Sequence, residues 1–310
     1  MKDLIIIGAG PAGLTSSIYA SRYKLNHLVI GNIFDGAMTK AHLVENWPGE
    51  KSIKGYDLIM KFYEHAKSLG AEIIQKNIVE VKTENEINSS LRSHFIIKTE
   101  NNKTYETKSL LVALGTKSKK LNIPGEDKFL GKGVSYCAVC DGAFFKNKIV
   151  GVVGGSNSAA MAAMMLSEHA SNVFVIYRRE PLRCEPIIAE KLEKNSKVKI
   201  IYNTNITTIG GGKRVEFIEL DNKYEGEKIL KLDGLFIEAG SIPFASLVGK
   251  LGVKTDQNGF IIIDQNGATN IEGVYAAGDI TNGSNGLRQI ITAASEGAIA
   301  ATSVYKYLRK

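Results

Sequence analysis

Two cysteines separated by two residues, Cys137 and Cys140, are the residues whose type and spacing most directly suggest chemistry. Two thiols at this spacing can close a small disulfide ring and reopen it when a thiolate attacks, so the pair can store and transfer two electrons. Asp141 follows the second cysteine and could protonate a departing thiolate or take the proton from an attacking thiol. The stretch therefore predicts a redox-active dithiol that carries its own acid or base.

A zinc site and a structural cysteine pair are the alternatives for this stretch. Zinc requires four ligands, yet the only other cysteine is Cys184, and the five histidines form no H-x-x-x-H run. A buried structural pair would place Asp141 beside an apolar core, where carboxylates are rare. Redox exchange is therefore favoured, no metal is expected, and Cys184 is interpreted as a small packing residue.

The length and composition indicate a two-domain protein of a reducing compartment. A chain of 310 residues exceeds the size at which one hydrophobic core keeps growing. Three cysteines are too few for a disulfide-stapled secreted fold, the N-terminal apolar run is too short for a signal peptide, and no stretch approaches a membrane span. The net charge of +7 comes from lysines interspersed with acids. We therefore expect a cytoplasmic protein that binds neither nucleic acid nor membrane.

A glycine-rich turn between a strand and a helix opens the chain. Leu4–Ile7 is a continuous apolar strand, and residues 8–13 read GAGPAG before a helical pattern begins at Leu14. The first glycine permits the tight turn, the second lets the main chain approach a pyrophosphate, and the third lets the helix pack on the strand. The next strand, His27–Ile30, ends in Gly31 and Asn32 and lacks the acid that usually binds the adenosine ribose.

The same pattern recurs in the second half of the chain. Ile149–Val153 predicts a strand, Gly154–Ala159 the turn, and the following residues a helix. The next strand, Val173–Ile176, runs into Tyr177-Arg178-Arg179, with Arg183 shortly after. An acid here would bind the ribose of NAD, whereas arginines suit the additional 2′-phosphate of NADP. Plain surface arginines are the alternative interpretation.

The remaining elements are predicted from periodicity and turn residues. Gly36 to Gly49 is loop-like, and Thr83 to Ser93 is interpreted as a hairpin tip. Composition shifts at Lys117–Lys120 and at Gly240–Pro243 indicate domain crossings. An amphipathic helix is predicted over Gly55–Ser68, strands over Ile78–Lys82, Phe95–Thr99, Thr104–Thr107, Ser109–Leu114 and Gly273–Asp279, and a small sheet from Val198–Tyr202, Val215–Asp221 and Leu235–Glu238.

These motifs together resemble the low-molecular-weight thioredoxin reductases, the two-domain FAD-containing branch of the pyridine nucleotide-disulfide oxidoreductases. The resemblance runs from Met1 to about Leu308 and rests on motifs that occur in the family's order. They are GAGPAG at 8–13, ENWPG at 45–49, CAVCDG at 137–142, YRR at 177–179 with Arg183, AAGD at 276–279, and Arg288-Gln289.

The resemblance implies an α/β fold with two Rossmann-like nucleotide-binding domains of the three-layer ββα type, the second inserted into the first. The FAD-binding domain would be discontinuous, made of residues 1–116 and 245–310, and residues 117–244 would bind NADPH and carry the cysteines. The implied FAD contacts are Gly8, Gly10, Pro11, Ala12, Gly13, Gly31, Asn32, Gly36, Ala37, Met38, Asn46, Ala113, Gly115, Gly278, Asp279, Arg288, Gln289 and Ile290. The implied NADPH contacts are Gly155, Ser156, Asn157, Ser158, Ala159, Arg178, Arg179 and Arg183.

The resemblance also implies an activity, thioredoxin-disulfide reduction. Electrons would pass from NADPH through FAD and the Cys137/Cys140 disulfide to thioredoxin or a thioredoxin-like or glutaredoxin-like protein, and the enzyme would be a homodimer. Cys140 would face the flavin, Cys137 would exchange with the partner disulfide, and Asp141 would be the acid and base.

The chain departs from the family pattern in four places, which cover five positions. Ser156 replaces the middle glycine of the second turn, Met161-Ala162 replace two glutamates, Tyr177 replaces a histidine, and Ala37 replaces a glutamine. The first two departures leave open a different electron donor, NADH or reduced ferredoxin, for the same flavin and dithiol chemistry. A further alternative, of another functional class, is a non-catalytic nucleotide-sensing protein with structural cysteines.

Overall fold

The computed structural model describes residues 1–84 and 94–309, so most of the predicted hairpin tip at Thr83 to Ser93 lies outside the described residues. The chain divides into two compact units. Unit 1 is formed by Met1–Lys117 and Ile242–Lys310, and unit 2 by the continuous segment Ser118–Ser241 between them.

The helices and strands follow the chain in this order. Unit 1 contains β1 (Leu4–Ile7), α1 (Pro11–Arg22), β2 (His27–Ile30), α2 (Gly55–Ser68), β3 (Glu72–Ile74), β4 (Ile78–Glu84), β5 (His94–Thr99), β6 (Thr104–Thr107) and β7 (Leu110–Val112). After β8 (Thr116–Ser118) come α3 (Glu126–Phe129), β9 (Val134–Ser135), α4 (Ala138–Asp141), a 3₁₀ helix (Gly142–Phe145), β10 (Ile149–Val153), α5 (Asn157–Ser167), β11 (Asn172–Ile176), α6 (Pro186–Glu193), β12 (Val198–Ile201), β13 (Ile206–Gly210), β14 (Phe217–Tyr224), β15 (Glu227–Lys231) and β16 (Gly234–Ile237). The chain returns through β17 (Ser241–Pro243) to α7 (Ser246–Gly249), β18 (Val274–Ala276), a second 3₁₀ helix (Ser284–Gly286) and α8 (Ile290–Leu308).

Unit 1 has three layers around a parallel sheet of order β18-β7-β1-β2-β3. All four residues of β1 are buried because layers cover both faces of the sheet, which explains the unbroken apolar run. Leu4 and Ile6 belong to the core shared with the helices, whereas Ile5 and Ile7 pack with Phe95 of the antiparallel sheet β4-β5-β6. Helix α1 packs against α8 at a position where a Cβ on Gly297 would lie 2.3 Å from the Ala12 carbonyl oxygen.

Unit 2 repeats this architecture around a parallel sheet of order β12-β11-β10-β16-β9. Helix α5 contributes Ala159 and Ala163 to the core on one face, together with Val150 and Val152 of β10. The antiparallel sheet β13-β14-β15 covers the other face. Within the described chain, none of the helices combines the length and apolar character needed to span a bilayer.

Most of the predicted elements are confirmed, and the differences include one helix start, several short elements that were not predicted and one sheet assignment. Helix α1 begins at Pro11 rather than Leu14, since proline is favoured in the first turn and Gly10 serves as the N-cap. Strand β3 was not predicted, because three residues are too few to show a period. The small sheet expected from three runs is wrong: β12 and β16 lie in the parallel sheet, whereas β14 pairs with β13 and β15. The half-exposed pattern of β14 suits an outer layer.

Candidate active site

Cys137 and Cys140 form a disulfide bond, with their Cα atoms 5.3 Å apart. Cys137 has an extended backbone and is the N-cap of the single-turn helix α4, which brings the two sulfurs onto the same side of the turn. The backbone N–H of Cys140 donates a hydrogen bond to Cys137 Sγ at 3.2 Å. Cys140 is exposed and Cys137 is half-buried. The pair is therefore an accessible disulfide whose first sulfur already accepts an amide hydrogen bond.

Asp141 is tied to this turn through Ser135, a residue that the sequence analysis did not identify. Ser135 Oγ donates to Asp141 Oδ2 at 2.6 Å and accepts the Cys137 backbone N–H at 3.0 Å. The Asp141 backbone N–H donates to the Cys137 carbonyl at 3.2 Å, which closes the turn. The position of Ser135, two residues before the first cysteine, is the one sequence signal that could have identified it.

The turn packs on α5 through small residues and exposes apolar groups beside the cysteines. A Cβ on Gly142 would lie 2.9 Å from the Met165 methyl group, so a glycine here allows close packing. Val139 is 38% exposed and Phe144 is 81% exposed. Two exposed apolar side chains therefore lie within four residues of Cys140 in the sequence.

In the first glycine turn, between β1 and α1, two glycines are required by steric contacts and one faces open space. Gly8 has φ +112, and a Cβ there would lie 2.2 Å from the Ala113 carbonyl oxygen. A Cβ on Gly13 would lie 1.9 Å from the Gly8 carbonyl oxygen. A Cβ on Gly10, in contrast, would meet nothing within 4 Å, and no side chain caps the helix that follows. Open space in front of uncapped helix N–H groups fits a pyrophosphate.

The structure brings several of the sequence-predicted FAD residues together at the carboxyl edge of the unit 1 sheet. A Cβ on Gly31 would lie 2.7 Å from the Ala9 nitrogen, and one on Gly278 would lie 2.9 Å from Ala12 Cβ. Ala113 and Gly115 follow β7 at the same edge. Asn32 instead forms hydrogen bonds within its own loop. Its Nδ2 donates to Asp35 Oδ2 at 2.6 Å, and its Oδ1 accepts the Phe34 N–H at 2.9 Å. Gly36, Ala37 and Met38 lie in the following loop, where Met38 is buried in the core.

Asn46 and Gln289 meet although they are 243 residues apart in sequence, with Asn46 Nδ2 donating to Gln289 Oε1 at 3.1 Å. Gln289 also caps α8, whose first residue is Ile290. Next to it, the Arg288 guanidinium lies over the Phe260 ring, 3.7 Å from the ring centroid. The buried Arg288 Nε has no hydrogen-bond partner among the described residues. A guanidinium N–H without a partner at this position could donate a hydrogen bond to a carbonyl oxygen of a bound ring system or to the electron-rich ring itself.

Asp279 is a half-buried carboxyl group three residues after β18. Burial raises its pKa above the ordinary value, Arg288 lowers it, and Glu296 raises it again. Glu296 of α8 also accepts hydrogen bonds from the Gly278 N–H at 2.8 Å and from the Thr281 hydroxyl at 2.9 Å. Sequence reasoning missed both Glu296 and Phe260, because neither belongs to a motif. They fix the loop that carries Asp279 and the side chain of Arg288.

The second glycine turn, between β10 and α5, has the same backbone course as the first. Gly154 has φ +143, and a Cβ there would lie 2.3 Å from the Glu238 carbonyl oxygen. Ser156 is the N-cap of α5 with an extended backbone, and its side chain makes no cap hydrogen bond. Ser158 is exposed, whereas Ala159 is buried in the core.

The arginines predicted to bind a 2′-phosphate lie on the loop after β11. Arg178, Arg179 and Arg183 are exposed, and none of them forms an ion pair within the part of the chain that the structure describes. The Arg183 backbone N–H donates to the Gly155 carbonyl at 2.6 Å, so this loop is fastened to the glycine turn. The free guanidinium groups are therefore available to an anionic ligand bound at the turn.

A comparison with protein families decides the classification of this chain. Residues 2–297 match the sequence model of the family described as pyridine nucleotide-disulphide oxidoreductase. The chain belongs to this family. The resemblance stated from the motifs is thereby confirmed, and members of the family use a flavin and a pyridine nucleotide.

The relatives of this family member are full-length matches. A thioredoxin reductase of Listeria innocua is 40% identical over 311 residues, which cover 99% of this chain and 94% of the relative. The crystal structure of Lactococcus lactis thioredoxin reductase has a TM-score of 0.92 at 36% identity and covers 100% of this chain and 99% of that one. The T. acidophilum thioredoxin reductase structure has a TM-score of 0.90 at 36% identity, with 98% of both chains covered. The expected α/β fold with two Rossmann-like domains is confirmed.

Contacts of Tyr177 and of Asn157 further distinguish the second turn of this oxidoreductase. A Cβ on Gly155 would lie 2.5 Å from the Tyr177 ring, and the buried Tyr177 Oη has no partner among the described residues. Asn157 Nδ2 donates to Glu185 Oε1 at 2.8 Å, and the Glu185 N–H donates back to Asn157 Oδ1 at 2.8 Å. Asn157, predicted to contact NADPH, therefore already has a protein partner.

Cys184 packs against the core, and burial raises the pKa of its thiol, as suits a packing residue.

Proposed function

We propose that this chain is an NADPH-dependent, FAD-containing thioredoxin-disulfide reductase. The observation that carries the proposal is the accessible Cys137–Cys140 disulfide, with Asp141 held on the same turn. The full-length relatives named thioredoxin reductases support thioredoxin, or a thioredoxin-like or glutaredoxin-like protein, as the partner. The exposed Val139 and Phe144 provide an apolar surface for such a protein beside the disulfide.

We assign the exchange step to Cys137. The amide hydrogen bond from Cys140 to Cys137 Sγ would stabilise a thiolate on this sulfur, because charge-assisted hydrogen bonds favour the ionised form. Exposure alone would favour Cys140, the more exposed residue of the pair, so the assignment requires a direct test. Asp141 is the proposed acid and base of the exchange.

The exchange balances as two thiol–disulfide steps. The Cys137 thiol loses its proton to the Asp141 carboxylate, and the thiolate attacks one sulfur of the partner disulfide, which releases the other partner sulfur as a thiolate. Asp141 gives this proton to the released partner thiolate. The Cys140 thiol then loses its own proton, attacks Cys137 Sγ as a thiolate, closes the intramolecular disulfide and releases the second partner sulfur, which takes up that proton. The partner gains two electrons and two protons, and the Cys137–Cys140 pair loses them.

Unit 1 is the proposed FAD site and unit 2 the proposed NADPH site. Bound FAD would supply the two-electron carrier that regenerates the dithiol. Around the first turn, Gly10 leaves room for its pyrophosphate, and Asp279 offers a carboxyl group to a sugar-alcohol hydroxyl. Asn46, Gln289 and Arg288 would hold the ring. In unit 2, Arg178, Arg179 and Arg183 would bind the 2′-phosphate, and the open N-terminus of α5 the pyrophosphate.

A different donor, NADH or reduced ferredoxin, is the second candidate. The occupied side chain of Asn157 and the serine at position 156 favour it, whereas the three unpaired arginines favour NADPH. Anaerobic titration of the purified protein with each donor, followed by flavin absorbance, distinguishes them. NADPH is expected to bleach the flavin at the lowest concentration, and bleaching by ferredoxin alone would overturn the assignment.

Trapping of a mixed disulfide tests the roles of the cysteines. In Cys140→Ser the remaining Cys137 should form a stable mixed disulfide with oxidised thioredoxin, since no second thiol resolves it. Cys137→Ser is the matched control and should trap less than a tenth as much. The reverse result would contradict the assignment of Cys137, and failure of both variants to trap thioredoxin would contradict the proposed partner.

We also propose that the protein is a cytoplasmic homodimer, and both points rest on the resemblance to the relatives. Sedimentation of the flavin-loaded protein tests the second point. Twice the chain mass of 33.7 kDa is expected.

A further inference from the structure

Ser135 connects the acid to the first cysteine with a single hydroxyl group. It is only 5% exposed, and its Oγ lies 2.6 Å from Asp141 Oδ2, 3.0 Å from the Cys137 nitrogen and 3.3 Å from the Cys137 carbonyl oxygen. A serine hydroxyl has one proton to donate and two lone pairs. The bond to a carboxylate is charge-assisted and is the shorter one, so the proton points to Asp141 and a lone pair receives the Cys137 N–H.

This arrangement is anchored on a rigid element. Ser135 lies in β9, which pairs in parallel with β16, and its register partner is Phe236, a fully buried side chain. Among the described residues, Ser135 provides the sole side-chain hydrogen bond to the Asp141 carboxylate. The neighbouring Tyr136 belongs to a separate network, because its hydroxyl bonds Glu126. The position of the Asp141 carboxylate therefore depends on one buried hydroxyl group that the sheet edge holds in place.

We propose that Ser135 is a positioning residue for disulfide exchange, which orients the Asp141 carboxylate towards proton transfer at Cys137. The inference rests on the proposed function, in which Asp141 is the acid and base. Asp141 begins the step as a carboxylate and takes the proton of an attacking thiol, whose thiolate bonds to Cys140 Sγ. The electron pair of the broken Cys137–Cys140 bond leaves on Cys137 Sγ, which then takes that proton from the Asp141 carboxyl group. The carboxylate that remains keeps the hydrogen bond from Ser135, so the group is ready to accept the proton in the reverse step.

A double-mutant cycle with thioredoxin tests the proposal. Ser135→Ala should lower kcat on the order of tenfold with KM unchanged, a part of the ~10²–10⁴-fold that general acid–base catalysis provides. Ser135→Thr, which keeps the hydroxyl, should restore most of the rate. Asp141→Asn should lower kcat further, and the double variant should be no slower than Asp141→Asn alone. Flavin content and melting temperature of each variant confirm that it is folded.

The matched control is Ser167→Ala. Ser167 is likewise a buried serine of unit 2, 6% exposed, whose Oγ donates to the Met164 carbonyl at 2.5 Å and accepts Asn195 Nδ2 at 2.7 Å. Its loss should change stability but not kcat. If Ser135→Ala does not fold, Asp141→Glu replaces it, because moving the carboxylate by one methylene should give a similar loss of kcat.

A second measurement separates this inference from the proposed function. Dithiothreitol opens the Cys137–Cys140 bond directly, and rapid alkylation with mass spectrometry follows the rate without thioredoxin or NADPH. Ser135→Ala and Asp141→Asn should slow this opening by similar factors. A wild-type protein that opens normally but does not reduce thioredoxin contradicts the proposed function alone. Wild-type rates in Ser135→Ala, additive losses in the double variant, or an equal loss of kcat in Ser167→Ala would overturn the role of Ser135.

Discussion

The two glycine turns of this chain share a backbone but differ in the groups that a ligand would meet. The Gly8 N–H donates to the Ile30 carbonyl at 2.8 Å, and the Gly154 N–H donates to the Ile176 carbonyl at 3.1 Å. Both glycines have positive φ angles, +112 and +143, and both would collide with backbone if they carried a Cβ. The N-caps that follow, Gly10 and Ser156, are both extended.

The differences lie in side chains rather than in the turn. Gly10 leaves an open space, whereas Ser156 fills the equivalent position in the second unit. Gly31 follows the strand after the first turn and packs close to the turn itself, whereas Tyr177 follows the strand after the second turn, with exposed arginines beyond it. The main chain that follows the neighbouring strand, at Ala113 in the first unit and Glu238 in the second, therefore requires the first glycine of each turn. We expect the choice of nucleotide to depend on the residues around the turn.

The largest expected effect comes from adding a methyl group to the first glycine of either turn. Gly8→Ala and Gly154→Ala each force a Cβ to within 2.3 Å of a carbonyl oxygen at a positive φ. We expect a loss of more than about 3 kcal/mol of stability in the unit concerned. Thermal melting and flavin content measure it. Gly10→Ala is the control and should melt like the wild type; equal melting of all three variants would contradict the steric argument.

Removal of the arginines tests the second turn. Arg179→Gln should raise the KM for NADPH roughly tenfold or more, because a charge-assisted hydrogen bond contributes about 1.5–3 kcal/mol. The KM for NADH should not change, since NADH lacks the phosphate. A similar rise with both nucleotides would show that the arginine does not bind the 2′-phosphate.

Exchanging the residues at the two N-cap positions tests the difference between the two glycine turns directly. Gly10→Ser should weaken FAD binding roughly tenfold by placing a side chain where a phosphate approaches, and Ser156→Gly should tighten NADPH binding about threefold. Equilibrium dialysis and fluorescence titration provide the two constants. Weaker NADPH binding by Ser156→Gly would indicate that the serine hydroxyl donates to the ligand.

The smallest expected effect concerns Asp279. Its pKa in the folded protein is raised from the ordinary 3.8, mainly by burial, so folding favours the protonated form. The group therefore stabilises unit 1 fully below pH 3.8, and this contribution is lost as the pH rises through the raised pKa. Asp279→Asn should accordingly stabilise the flavin-free protein at pH 7 by up to about 1 kcal/mol and have less effect near pH 3. A lower melting temperature of Asp279→Asn at pH 7 would contradict this sign.

Sequence reasoning recovered the parts of the molecule that local patterns determine. Apolar runs such as Leu4–Ile7, and glycines that no other residue can replace, can be recognised from a few consecutive positions. It missed Ser135, Phe260 and Glu296, whose roles arise only when distant segments meet, as Phe260 does with Arg288. The antiparallel sheet of unit 2 was misassigned for the same reason, because strand pairing is not a local property.

The central claim is that reducing power leaves this protein through the Cys137–Cys140 pair to a protein disulfide. The most direct measurement is anaerobic turnover with NADPH and oxidised thioredoxin, with thiols counted by differential alkylation and mass spectrometry. The account predicts that NADPH alone converts Cys137 and Cys140 to free thiols, and that added thioredoxin becomes reduced while the pair is reoxidised. Thioredoxin that becomes reduced while Cys137 and Cys140 remain bonded, or a reduced pair that leaves thioredoxin oxidised, would contradict it.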